Sequence, residues 1–300
     1  MHNLAPIVLF TFKRFESLQK TIQCLSANFL ASDSDLIIYS DGGKDIEEIL
    51  VIDNIRAYLK TISGFKSVTI HEFTRNNGLA SSIIHGVSNT LKQYNKVIVL
   101  EDDLLTSTNF LVFMNQALDY YQDFPQILSI SGYSPIIKGL KDDEVYFTKR
   151  ASSWGWACWR EKWNKIDWEC SFYDDFKKNH ILKSKFNEMG SDLSHMLKKQ
   201  MEGNLNSWAI RFSFYQFQNQ MYSVHPAISK INNIGLTDIN ATNTNQKYNR
   251  FRSTFDKSNN KVFSFTNQIS LDPSIIKQFR KSNSVTLRIL NKIFNFLLEI

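Results

Sequence analysis

The stretch Val97-Ile98-Val99-Leu100-Glu101-Asp102-Asp103-Leu104 decides how the fold is read. Four apolar residues, three of them β-branched, have the length and composition of an interior strand. Three carboxylates stand where that strand ends. In open α/β sheets, ligands bind just beyond the carboxyl ends of the strands. Adjacent carboxylates repel one another, so folding alone gives little reason to gather three of them there. A divalent cation removes that repulsion: Mg²⁺ takes carboxylate oxygens and leaves places for phosphate oxygens, and Mn²⁺ suits the same ligands. The competing reading of an isolated Glu-Asp-Asp is a solvated acidic turn.

Working outward, the first half alternates strand and helix. Strands are expected over residues 7–12, 35–39, 68–73, 97–100 and 127–131. Helices are expected over 15–29, 46–62, 78–94 and 110–121, where apolar residues such as Leu18, Ile22 and Leu25 recur at helical spacing. Strands separated by helices indicate βαβ units and a mainly parallel sheet, an α/β class. Polar groups follow each of the first four strands: Arg14 the first, Asp41-Gly42-Gly43 the second, Asn76-Asn77-Gly78 the third, and the acidic triplet the fourth. The two glycines let backbone approach a ligand closely. The helix opening at Gly78 presents its N-terminus, which favours anions. Four such ends in register point to a nucleotide site. Residues 1–140 form this nucleotide-side part.

After about residue 140 the character changes. Trp154, Trp156, Trp159, Trp163 and Trp168 cluster, with Trp208 further on. Residues 171–202 read as helices rich in Lys and Asp, and 236–260 as a polar loop. Residues 141–270 are expected to be the acceptor-side part of the same domain. In 271–300, Leu287, Leu290, Ile293, Phe294, Leu297 and Leu298 make an apolar stripe, with Lys277, Arg280, Lys281, Arg288 and Lys292 around it. A basic amphipathic helix over 274–300 either lies in a membrane interface or docks on the protein's own core.

The 300 residues carry a net charge of +6, compatible with phosphate-bearing ligands or an anionic membrane but too weak for nucleic-acid binding. Cys24, Cys158 and Cys170 have no CxxC spacing, so reduced thiols and a cytoplasmic location are expected, with the tail at the inner face of the membrane. No signal peptide is evident, and no uncharged run approaches the ~18–20 residues that span a bilayer. The six histidines show no HxxxH or HxH spacing and are read as structural or surface residues.

With these residues assembled, the chain resembles nucleotide-sugar glycosyltransferases of the GT-A fold, and most of all bacterial relatives of N-acetylglucosaminyltransferase I. The segments concerned are TFKR at 11–14, YSDGGK at 39–44, NNGLASSI at 76–83, VIVLEDDL at 97–104, SSWGWACWREKW at 152–163 and the stretch from NSWAIRF to ISKINNIG at 206–235. The resemblance covers about residues 5–245. It implies a Rossmann-like, mainly parallel sheet flanked by helices, and a metal-dependent inverting transfer from a UDP-sugar, UDP-N-acetylglucosamine in the first instance, to a glycan hydroxyl. It further implies that Arg14 and Asp41 face uridine; Asn77, from its place after the third strand, is expected on the donor side too. Asp103 holds Mn²⁺ or Mg²⁺ on the diphosphate, Glu101 and Asp102 face ribose and sugar, and Trp154 contacts a sugar ring. A cytosolic transferase with a membrane-binding tail would take a lipid-linked acceptor in surface polysaccharide or oligosaccharide synthesis.

Two positions depart from the family pattern. Relatives place an Asp general base where this chain has Asn206, and an amide accepts no proton at neutral pH. Either the alignment slips, or Glu202, one helical turn earlier, serves as base, or turnover is lost. The loop at 236–245 carries Thr242 and Asn243 where many relatives have a metal-binding His. Two other classes stay open: a nucleotidyltransferase acting on sugar phosphates, disfavoured because no glycine follows the first strand, and a non-catalytic nucleotide-sugar-binding protein, favoured by Asn206. A Rossmann dehydrogenase is disfavoured by the absence of GxGxxG.

Overall fold

The computed structural model describes residues 4–235 and 249–299. In chain order the elements are β1 Ile7–Thr11, α1 Phe15–Ser26, β2 Asp35–Ser40, α2 Ile46–Leu59, β3 Ser67–Glu72, α3 Leu79–Gln93, β4 Lys96–Glu101, β5 Leu104–Thr106, α4 Phe110–Tyr121, β6 Ile127–Ser131, β7 Val145–Thr148 and β8 Trp156–Trp159. There follow α5 Arg160–Trp163, α6 Tyr173–Lys178, α7 His180–Phe186, α8 Leu193–Met201, α9 Trp208–Gln218, β9 Tyr222–Pro226, β10 Ile231–Asn233, α10 Pro273–Arg280 and α11 Val285–Glu299.

Eight strands form one sheet in the order β3-β2-β1-β4-β8-β6-β9-β7. The pairings among β1–β4 are parallel, as is β6 with β9, while β8 and β7 run against their neighbours. The sheet is therefore mainly parallel, as expected, and its residues alternate between two buried faces. Ile7, Leu9, Ile98 and Leu100 pack against α1, α2 and α4; Val8, Phe10, Val97 and Val99 pack against α3, α9 and the tryptophans. A run that is apolar on both faces is what a strand covered by helices on both sides requires.

The first four expected strands and the helices between them are present with ends shifted by a few residues, and α4 and β6 match residue for residue. The sequence reading had no strands at β5, β7, β8, β9 or β10. Trp156–Trp159 is buried throughout and has no alternation to read, and Tyr222–Pro226 ends in a proline. Both join the central sheet, so residues after 140 complete the same layer that residues 7–101 begin.

A second, two-stranded antiparallel sheet pairs β5 with β10. It carries residues 231–235 back to the end of β4, where the Ile234 N–H donates to the Asp103 carbonyl at 2.9 Å. Among the described residues no helix is long and apolar enough to cross a membrane. The polar loop expected over bound donor, with Thr242 and Asn243, lies outside the described residues.

Candidate functional site

One cleft of about 780 Å³ opens at the carboxyl ends of β1, β2 and β4 and extends to the α10–α11 junction. Because β1 lies between β2 and β4, the polar groups that follow these strands converge on it.

Asp41, buried after β2, accepts the N–H of Gly42 at 3.0 Å and of Asn77 at 2.9 Å on Oδ1, and of Gly78 at 3.1 Å on Oδ2. It thus ties the end of β2 to the start of α3, whose preceding residue Gly78 has φ +74°. The Asn77 side chain reaches only its own loop, donating to the Arg75 carbonyl at 3.4 Å, and is exposed. Asn76 and Gly78 line the cleft, and the side chain of Asn77, expected on the donor side, does not border it. Gly42 also serves differently from expectation. A Cβ there would lie 2.5–2.7 Å from the Arg75 backbone, so the glycine admits the chain itself.

Arg56 of α2 went unnoticed in the sequence. It donates to the Phe73 carbonyl at 2.7 Å and to Ser40 Oγ at 3.2 Å, fastening the ends of β2 and β3. Its place one residue after buried Ile55 was the available signal.

The acidic triplet is not solvated. Asp102 and Asp103 are buried, and Glu101 is half-buried. Asp102 Oδ2 accepts from Thr11 Oγ1 at 3.0 Å and from the Phe12 N–H at 3.1 Å. Arg14 Nη1 is ion-paired with Asp103 and lies 3.9 Å from Asp102 Oδ1. The guanidinium expected to face uridine therefore sits on the acidic pair. Burial opposes its charge, yet Asp103 and Asp102 outweigh burial and raise its pKa. Burial, followed by the charges of Asp103 and Asp102, pushes Glu101 up to about 8. Burial and Asp103 likewise push Asp102 up to about 6, against the pull of Arg14 and its two hydrogen bonds. Gly235 closes over this group: a Cβ there would overlap the Asp103 carboxylate.

Asp102 Oδ1 and the Asp103 carboxylate are hard oxygen donors of the kind Mg²⁺ and Mn²⁺ take. Among the described residues no three His, Cys, Asp or Glu side chains are grouped to hold a metal. An ion there would complete its shell with diphosphate and water oxygens, which both ions accept, so the donor set fits.

Trp154 lines the cleft, half-buried, with Tyr133 and Phe251 packed on it edge-to-face at 4.6 and 5.3 Å between ring centroids. Trp156 is buried and stacks between Trp163 and Trp208, and Trp208 also borders the cleft. His225 is buried too, bonded to Tyr133 and Thr148, and burial lowers its pKa to about 4.

Glu202 lies beyond the end of α8, exposed, with Lys198 at 3.6 Å, and does not line the cleft. Glu202, the expected general base, thus stands apart from the cleft in this structure. Asn206 does line the cleft, and its Oδ1 accepts from Arg211 at 3.4 Å. On the wall away from β4 the sequence reading missed Arg150, Asp192 and Arg250. Arg150 holds Asp192 bidentately at 2.8 and 2.9 Å.

No family model matches the chain, and no curated protein matches it to a significant degree. Solved structures do align with it. A mannosyltransferase from Pyrobaculum calidifontis in complex with GDP-Man and Mn²⁺ aligns over 54% of this chain and 48% of that one, at 14% identity and TM-score 0.37. Residues 1–349 of S. aureus TarS align over 77% of this chain and 60% of that one, at 10% identity and TM-score 0.44. The same TarS fragment in complex with UDP aligns over 47% and 38%, at 12% identity and TM-score 0.32. The chain thus spans less than two thirds of each. With all three TM-scores below 0.5, the α/β architecture rests on the chain's own strand order.

Proposed function

We propose that the protein is a nucleotide-sugar glycosyltransferase of GT-A architecture, related to bacterial N-acetylglucosaminyltransferase I-like enzymes. The observation that carries this reading is the burial of Asp102 and Asp103 at the tip of β4, in one cleft with Asp41, beneath a cationic group. Like charges gathered out of water call for positive charge; Arg14 supplies it in this structure, and a divalent cation carrying the donor diphosphate would supply it in the complex.

In this reading residues 1–140 bind the donor, a UDP-sugar with UDP-N-acetylglucosamine first in line, and residues 141–270 present a glycan hydroxyl. Asp103 would hold Mn²⁺ or Mg²⁺ when Arg14 releases it, and Asp102 is kept in orientation by Thr11 and Phe12. The bound ion would neutralise the charge that develops on the departing nucleoside diphosphate. Arg14, once displaced, is free to face uridine or phosphate. Glu101 and Asp102 face the ribose and sugar, and Trp154 offers an apolar ring face to a pyranose. Transfer with inversion is expected by resemblance.

The tail supports a membrane-side location. Val285, Ile289, Leu290 and Ile293 are 38–56% exposed along one side of α11, with exposed Lys277, Arg280, Lys281 and Lys292 nearby. Such a face suits the anionic inner leaflet and a lipid-linked acceptor in surface polysaccharide or oligosaccharide synthesis.

Isothermal titration of UDP, with and without Mn²⁺, tests the donor half. Binding that strengthens with Mn²⁺ and is lost in Asp103→Asn is expected; no heat at millimolar UDP would count against the reading. One observation favours a second: Glu202 is outside the cleft, and Asn206 stands where the resemblance expects the base, which suits a non-catalytic nucleotide-sugar-binding protein. UDP release from UDP-sugars separates the two.

A further inference from the structure

The far end of the cleft mirrors the acidic end with opposite sign. Arg150, Arg250 and Arg288 gather around a single carboxylate, Asp192. Arg150 takes both oxygens of Asp192. Arg288 donates to Ser191 Oγ at 3.2 Å. Burial lowers the Arg250 pKa, Asp192 opposes that shift and the other two guanidinium groups add to it, and Arg250 makes no ion pair among the described residues. Its Nε is buried and has no hydrogen-bond partner among the described residues, and its guanidinium lies over the Phe251 ring at 4.5 Å. Burying an arginine donor without a partner is costly, and Asp192, both of whose oxygens are taken by Arg150, makes no bond to Arg250 among the described residues. Gly190 keeps the space clear, since a Cβ there would overlap the Arg150 guanidinium. Arg150, Asp192 and Arg250 all line the cleft, as do Ser282 and Asn283.

We propose that this cluster is a subsite for an anionic group, phosphate or carboxylate, on the acceptor glycan, with Arg250 as the main ligand and Arg150, fixed by Asp192, as the second. The inference rests on the glycosyl-transfer reading and names its acceptor class as charged rather than neutral. Arg250 is placed for this task by the neighbouring Phe251, whose ring packs on Trp154. An acceptor sugar against Trp154 would therefore bring its charged substituent to Arg250.

The test uses the full chain and four probes: glycerol 3-phosphate, glucuronate, neutral N-acetylglucosamine, and UDP, each titrated against intrinsic tryptophan fluorescence. One of the two anions is expected to bind and the neutral sugar much more weakly; which anion binds separates phosphate from carboxylate acceptors. Arg250→Gln is expected to weaken the anion about tenfold or more, as loss of hydrogen bonds to a charged group does. Arg250→Lys should recover much of that loss, and UDP affinity should stay within about twofold in both variants. Because the Arg250 Nε is buried without a hydrogen-bond partner among the described residues, a melting temperature no lower than that of wild type is expected in Arg250→Gln and controls for folding. Failure of both anions to bind wild-type protein overturns the subsite, as does an Arg250→Gln defect in UDP rather than in the anion. UDP bound without an anion defeats this inference alone; an anion bound without UDP defeats the transfer reading and leaves the subsite standing.

Discussion

Glu101 is the residue whose protonation matters most. Its folded pKa is pushed up to about 8, and that of Asp102 to about 6, by burial and by their acidic neighbours. An unfolded chain would release those protons near pH 4. The folded state therefore holds more protons than the unfolded state between these limits, and stability falls as pH rises through the window. The contribution is fully favourable below the unfolded pKa and fully adverse above the folded one. Urea unfolding from pH 5 to 8 should show this decline in wild type and a flatter profile in Glu101→Gln; identical slopes would contradict the assignment. A cation at the pair would reverse the effect by favouring the ionised forms, so metal–UDP binding near pH 7 should release protons, measurable as calorimetric heats that vary with buffer ionisation.

At the scale of elements, the segment after residue 249 is pinned by an internal ion pair. Lys230, just before β10, is ion-paired with Asp256, their side chains 1% and 8% exposed, and Asn109 donates to the same carboxylate at 3.0 Å. Removing one member of such a pair leaves the other charge buried alone. Asp256→Ala is expected to lower unfolding free energy by about 3–5 kcal/mol, whereas Lys230→Met with Asp256→Leu should recover most of it. Chemical denaturation of both variants checks the contrast. Elements of this kind mark where the sequence stopped being legible. The βα alternation to residue 131 was readable because each strand is an apolar run and each helix an apolar stripe. Strand β8 was hidden because four buried residues in a Trp-rich run have no period, and β5 and β10 because three residues carry too little pattern. The acidic tip and Asp41 could be found from strand ends alone. Arg250 could not, since it reaches the cleft through tertiary packing of a polar loop, and neither could the exposure of Glu202.

At the scale of the whole molecule, the question is which surface faces its surroundings. Helix α11 turns Arg288 and buried Asn291 towards the body and leaves Ile289 and Ile293 half-exposed, at 53% and 47%. Were the helix docked on the core, its apolar side would be the covered one. Vesicles rich in anionic lipid should therefore carry the protein upward in a flotation gradient, and the double variant Ile289→Glu, Ile293→Glu should stay at the bottom. Equal flotation of the two would remove the membrane role of the tail. Salt should weaken the binding, because the lysines and arginines around the helix act through screened charge.

The indole stack of Trp163, Trp156 and Trp208 has an optical consequence. With centroids 5.6 and 4.7 Å apart, the three chromophores are close enough for their transitions to couple. They come from α5, β8 and α9, so the coupling exists only when the inserted antiparallel strand and the helix behind it are both seated. Near-ultraviolet circular dichroism should therefore contain an intrinsic, label-free gauge of whether the two halves of the sheet have joined.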